Sequence, residues 1–207
     1  MISGHDVAAL TVSPWLVKAA RRQLGRSRVR VGTVVGYGHG GQLLSVKAFE
    51  ASKALEQGAS QIDFVMNAGA LVSGEDEIVY NDMLAVVDMA HSALAAVGVI
   101  LEAEPLSEEH VRRACRLAER AGVDYVVTGR GSSSARISIG RTAMLREALG
   151  SRVQLKASGR FRTADEIDQA AQAGAARVSA ALTASLIRKT AETVELADAA
   201  ELAAAAR

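Results

Sequence analysis

The feature that most constrains this chain is an unbroken alternation of strand and helix. Seven short apolar, β-rich runs recur: DVAALTV (6–12), RVRVGTVV (28–35), QIDFVMN (61–67), VGVILEAE (97–104), DYVVTGR (124–130), VQLKAS (153–158) and ARVSAAL (176–182). Amphipathic segments predict helices over 14–24, 44–57, 75–96, 107–121, 140–149 and 163–173, with a long one from about 183. Strands exposed on one face alternate apolar and polar residues, whereas these are apolar nearly throughout. Both faces are therefore covered, which means a parallel sheet lined by helices. The helix ends carry matching chemistry. Ser13-Pro14 offers an N-cap and a proline at the first helical position, and Thr163 with Glu166 forms a capping box. Gly25, Gly58, Gly122, Gly150 and Gly174 stand where a helix needs a left-handed C-cap.

With 207 residues, 49% of them apolar and 23% charged, the chain reads as one domain over 1–207, with no linker or low-complexity tract. Its formal net charge of +1 gives no electrostatic case for nucleic acid or an anionic membrane surface. No apolar run reaches the ~18 residues of a membrane span, and the N-terminus lacks the order of a signal peptide. The single cysteine, Cys115, shares a helical face with Val111 and Leu117 and is read as a buried structural thiol. With no disulfide framework, a reducing cytoplasm is the simplest compartment. His5, His91 and His110 have no metal-ligand spacing, so neither a metal nor a cofactor is expected. The alanine-rich tail, 198–206, is read as the end of a helix.

Seven βα units fit either a doubly wound sheet or a barrel. The doubly wound reading rests on Gly36-Tyr-Gly38-His-Gly40-Gly41, a GxGxxG pattern between a strand and a helix. The acidic partner expected about 20 residues later would be Asp63, but Asp63 lies inside its strand rather than at the carboxyl end. The barrel reading accounts for the charges better. Asp63, Glu102 and Lys156 each interrupt an apolar strand, on three different strands. In an open sheet they would be isolated and costly, whereas a barrel turns inward residues onto one axis where they can meet. The expected architecture is an α/β, TIM-type (β/α) barrel, N-terminally shortened, with seven clear βα units and Asp63, Glu102 and Lys156 in one cavity.

The residues resemble the deoxyribose-phosphate aldolase family along nearly the whole chain. Residues 31–74, 101–131 and 155–180 are similar to consecutive units of its barrel. The likeness is carried by Gly36, Gly40, Val46-Lys47, Glu50-Ala51, Asp63, Asn67, Gly69-Ala70-Leu71, Ser73-Gly74, Glu102, Thr128, Gly131, Lys156-Ala157-Ser158-Gly159 and Arg162-Thr163. The resemblance implies a class I aldolase that joins acetaldehyde to glyceraldehyde 3-phosphate through a lysine Schiff base. Lys156 resembles the second lysine of the family's pair, and Asp63 the aspartate that shuttles protons.

The departures matter equally. Where the family strand ends Val-Lys-Thr, this chain has Val126-Val127-Thr128, and valine forms no imine. The second glycine after Lys-Ala-Ser-Gly is Arg160, and Ala181 and Leu182 stand where small hydroxyls are expected. The chain also begins at the family's second unit, so the eighth strand must come from the N-terminal residues or a partner, or the barrel stays open. A homo-oligomer, or an N-terminal segment filling the gap, is expected.

Two functions follow from these residues. In one, Lys156, Asp63 and Glu102 act on a small carbonyl-containing substrate other than the usual phosphorylated sugar. Asn67, Thr128, Arg130, Ser158, Gly159 and Arg160 then bind that substrate. With no second ammonium, only burial disfavours the charge on Lys156 while the two carboxylates favour it, which suits Lys156 to a general acid rather than a nucleophile. In the other, the fold survives as a noncatalytic partner or binding subunit. Arg130 and Arg160 can grip phosphate or carboxylate in a bidentate way, or Arg160 can pair with an acidic neighbour and plug the pocket. His39 is either a substrate contact or an exposed loop residue. Lys47 and Lys53 are expected to be solvated or paired with Glu50 and Glu56.

Overall fold

A computed structural model describes residues 7–102, 106–129, 138–161 and 163–180, and the backbone of 194–196. The seven expected strands appear in order: β1 (Ala9–Val12), β2 (Arg30–Val35), β3 (Gln61–Val65), β4 (Ala96–Ile100), β5 (Tyr125–Val127), β6 (Gln154–Ser158) and β7 (Arg177–Ala180). Each pairs in parallel with the next, and the sheet closes into a barrel. The helices between them are α1 (Val17–Leu24), α2 (Leu44–Glu56), α3 (Ala68–Val72), α4 (Asp76–Ser92), α5 (Glu108–Ala121), α6 (Ile139–Ala148) and α7 (Ala164–Gln172).

Closure corrects one expectation. Val194–Leu196 forms β8, parallel to β7 on one side and to β1 on the other. The eighth strand thus comes from the C-terminal region, inside the stretch expected to be helical from about 183. Val194, Glu195 and Leu196 sit in an alanine- and glutamate-rich context that favours helix, but two open sheet edges supply pairing that local propensity does not record. The rest of that expected helix, with the 198–206 tail, lies outside the described residues, as do Ala181 and Leu182.

The strands are apolar throughout because both of their faces are buried. Ile62, Phe64, Val97, Val99, Val126, Leu155 and Ala157 point outward into the helical layer and join one large core with Val79, Met83, Val86, Val111 and Cys115. Val65, Ile100, Tyr125 and Val127 point inward and form a second, smaller cluster inside the barrel. Thr163 caps α7 as expected, accepting the Glu166 N–H at 3.3 Å. Ser13 makes no side-chain cap, because Pro14–Leu16 first forms a 3-10 turn. Gly122 closes α5 in the left-handed conformation, whereas Gly150 does not take a positive φ and instead donates its N–H to Glu119.

Lys47 departs most from its expected surface role. It is fully buried on α2; its ammonium donates to Asp82 of α4 at 2.6 Å and to the Val65 carbonyl at the end of β3 at 2.9 Å. Burial pushes the Lys47 pKa down and the Asp82 pKa up, against their mutual attraction. Lys53 behaves as expected and pairs with Glu56 at 2.8 Å. Glu50 accepts the Gly36 N–H at 2.8 Å.

Two outcomes follow. Lys47→Met strands a buried carboxylate and should cost about 3–5 kcal/mol in urea unfolding, while Lys47→Met with Asp82→Leu should recover most of that loss. A double variant no more stable than the single would show that the pair itself is not what Lys47 supplies. The second outcome concerns Cys115. Burial pushes its thiol up to about 12 from a reference of 9.0. Between those values the unfolded state binds fewer protons than the folded one, so this group's contribution to stability falls as pH rises through the window. At pH 8 the thiol should react with a disulfide reagent only as fast as the protein unfolds; rapid labelling of folded protein would contradict the burial.

Candidate functional site

Strand parity builds the site. On β3, Ile62 and Phe64 face the helices, so Asp63 faces the barrel axis. On β6, Leu155 and Ala157 do the same for Lys156. The two side chains meet across the interior: Lys156 Nζ donates to Asp63 Oδ2 at 2.6 Å, with 1% and 4% of the two side chains exposed. Around them stand Ile100 and Val127 from the two intervening strands. The water-poor surroundings strengthen the electrostatic contact and raise the cost of breaking it. Val127 is the register partner of Lys156 on the adjacent strand, so the two side chains stand side by side on the inner face.

The other expected residues are placed unequally. Thr128 Oγ1 accepts the Ser158 N–H at 2.9 Å and donates to the Ser158 carbonyl at 3.2 Å, tying together the carboxyl ends of β5 and β6. Ser158 and Gly159 are buried, and Gly159 donates its N–H to the Ser179 carbonyl at 3.3 Å. Asn67 follows β3, and its side chain accepts the Ala70 N–H at 3.0 Å, so it caps α3. Arg160 is exposed. Arg130 lies outside the described residues. Glu102 is half-buried just beyond β4, and its backbone takes φ +47, a left-handed conformation unusual for a side chain of its size.

The glycine loop does not form a dinucleotide cradle. The closed barrel has no switch point of strand order, and Gly40 packs on the end of β3. A Cβ there would lie 2.2 Å from the Met66 carbonyl oxygen. His39 is exposed. Among the described residues no group of three His, Cys, Asp or Glu side chains is placed to hold a metal ion, and no helix is long and apolar enough to cross a membrane.

Sequence reasoning overlooked three neighbours of the pair. The Tyr125 ring lies 5.3 Å from Lys156 Nζ and 5.1 Å from Arg177 Cζ, and Gly98 leaves room for that ring. Tyr125 stands two residues before Val127, so strand parity alone would have turned it inward.

Comparison with known proteins places this architecture. The family model described as DeoC/LacD family aldolase matches residues 2–176. A deoxyribose-phosphate aldolase of Geobacillus sp. (strain WCH70) is 40% identical over 190 residues, covering 91% of this chain and 85% of that protein. One from Listeria innocua is 39% identical over 176 residues, covering 85% and 78%. Among solved structures, the tetrameric deoxyribose phosphate aldolase of Aeropyrum pernix aligns with a TM-score of 0.75 at 27% identity, covering 86% of this chain and 73% of that one.

The backbone at Glu102 yields a separable test. Glu102→Ala and Glu102→Gly remove the same carboxylate, but only glycine takes a positive φ without penalty. The glycine variant should be more stable than the alanine variant by about 1 kcal/mol in urea unfolding. Equal stabilities would mean the left-handed turn stores no strain.

Proposed function

The chain belongs to the DeoC/LacD family of aldolases, and from that premise we propose that it is a carbon–carbon lyase or ligase acting on an aldehyde or ketone through Lys156. Asp63 is its proton shuttle, and its substrate is not deoxyribose 5-phosphate. The observation that carries this reading is the 2.6 Å contact between two buried groups on opposite strands. Asp63 takes a proton from the Lys156 ammonium, leaving an amine whose lone pair adds to the substrate carbonyl. The resulting carbinolamine loses water, with a proton returned to the departing hydroxyl. The iminium then withdraws electrons as Asp63 takes a proton from the adjacent carbon, and the resulting enamine attacks a second carbonyl, whose oxygen receives that proton as the new carbon–carbon bond forms. Hydrolysis frees the product and restores Lys156.

Substrate choice is argued from the departures. Arg160 brings bulk and charge where the family pattern has glycine, and it favours an anionic group held by a guanidinium fork. In this reading Thr128, Ser158 and Gly159 form the wall beside Lys156, and Glu102, just beyond β4, handles a second proton. The tetrameric relative, together with exposed Leu43, Val46 and Phe49 at α2, favours assembly of this chain with copies of itself, as light scattering would report. A single cysteine suits a reducing cytoplasm.

One observation favours a noncatalytic partner instead. Val127 places no second ammonium beside Lys156, so on that side nothing helps Lys156 give up its proton. Borohydride trapping with a panel of aldehydes and ketones, read by intact mass and peptide mapping, separates the readings. An adduct on Lys156, lost in Lys156→Met, is expected. No adduct with any carbonyl, and no turnover, would leave the noncatalytic role standing.

The variant Val127→Lys probes the substrate. The new ammonium would project beside Lys156, and repulsion should free one amine near neutral pH. Trappable adducts with acetaldehyde should appear, with little cleavage of deoxyribose 5-phosphate, because the energy of positioning through phosphate is absent. Robust cleavage of the phosphorylated sugar would mean that only the lysine had been lost.

A further inference from the structure

Gly98 is anomalous. A glycine in the middle of a strand weakens it, by roughly 0.5–1 kcal/mol relative to alanine, yet here it occupies the inner face of β4, paired with Asp63 on one side and Tyr125 on the other. Its space is already taken. A Cβ at Gly98 would lie 2.1 Å from Tyr125 Cε2 and 2.9 Å from Asp63 Oδ1. The ring of Tyr125 therefore lies across the glycine with its edge toward the carboxylate that holds Lys156.

Above the ring is the ammonium of Lys156, 5.3 Å from the centroid. Below it is a cavity of about 640 Å³ at the N-terminal mouth of the barrel, lined by the first residues of five strands: Arg30, Ala96, Tyr125, Gln154 and Arg177. Arg177 also contacts the ring, at 5.1 Å, and donates to Gln61 at 3.3 Å. Tyr125 is thus shared between a solvent-accessible cavity and the buried ion pair, while only 1% of its own surface is exposed.

We propose that Tyr125 is a positioning residue for the Lys156–Asp63 pair: its ring, admitted by Gly98, seals the pair from the cavity at the N-terminal mouth and keeps the ammonium on Asp63. Two physical effects combine. The ring excludes water, which would otherwise loosen the ion pair from below. Its negative π face also attracts the ammonium, a contact that is strongest where water is absent. Access to Lys156 is then confined to the carboxyl ends of the strands, where a substrate of the proposed aldol chemistry would enter. This inference rests on Lys156 being the reactive group, but its test does not require turnover.

Reductive methylation with formaldehyde and cyanoborohydride, resolved by peptide mass, measures how readily each lysine reacts. Lys53, with 49% of its side chain exposed, is the internal reference. In Tyr125→Ala and Tyr125→Leu, loss of the seal and of the π contact should both raise the Lys156 rate relative to Lys53. The rise should be roughly tenfold, the equivalent of about 1.4 kcal/mol. Tyr125→Phe keeps the ring and should stay within about twofold of wild type, whereas Gly98→Ala, which expels the ring, should behave as the leucine variant does. Leucine keeps an apolar filler beside Val65, Ile100 and Val127, so a folded variant is available even where alanine fails to fold. The pH profile of the Lys156 rate should shift in the leucine variant and not in the phenylalanine one, which general loosening of the fold would not produce. A Lys156 rate unchanged in folded Tyr125→Leu, or raised equally by phenylalanine, would overturn the assignment. Formaldehyde labels any accessible amine, so if Lys156 responds as described but no larger aldehyde or ketone is trapped on it or turned over, Tyr125 keeps its role and the aldol reading fails alone.

Discussion

The barrel is organised around one ammonium and one carboxylate that have left water together. Moving each from water costs several kcal/mol, and their attraction offsets this only when the geometry is tight. The 2.6 Å contact between Lys156 and Asp63 meets that condition, and only a closed sheet provides it. β3 and β6 are separated by two strands; in a flat sheet their side chains could not touch. Curvature brings them face to face, and Ile100 and Val127 line the interval. Fold and site are therefore one constraint, since opening the barrel would leave two unpaired charges in an apolar interior.

The strand order and the main pair were legible in the sequence because each left a contradiction on the page. Continuous apolar strands demanded cover on both faces, and single charges inside Asp63- and Lys156-bearing strands demanded partners. Other features left none. Val194–Leu196 sits among alanines and glutamates, and its pairing depends on two distant strand edges. The left-handed turn at Glu102 is a property of the backbone, and glutamate gives no sign of it. At Lys47 the carboxylate of Glu50, at helical spacing, points to the helix surface, whereas the true partner, Asp82, is distant in sequence. Yet Lys47, Ala51 and Ala54 recur at helical spacing and are all buried, so the face could have been assigned by counting turns.

The glycine-rich loop shows how one pattern can serve two physical ends. In a nucleotide fold such glycines bring backbone N–H groups to a phosphate. Here Gly40 brings the loop onto the carbonyls that end β3, while Glu50 holds the Gly36 N–H and Lys47 reaches the Val65 carbonyl. Loop, helix and strand end are fastened together immediately before Asn67. The spacing of glycines records a close backbone approach, and the partner is protein.

The reciprocal hydrogen bonds between Thr128 and Ser158 have a consequence for how such a protein can change. They act as a rivet at the tips of β5 and β6, one residue beyond Val127 and two beyond Lys156. Connections that begin after the rivet can lengthen, shorten or exchange residues without transmitting that change to the strand positions beneath it. Below it, spacing is held by the ladder; above it, the chain is free to be rewritten. A lineage can thus alter what the mouth admits while the interior stays in register, and it can lose a reactive group from the interior without the mouth collapsing.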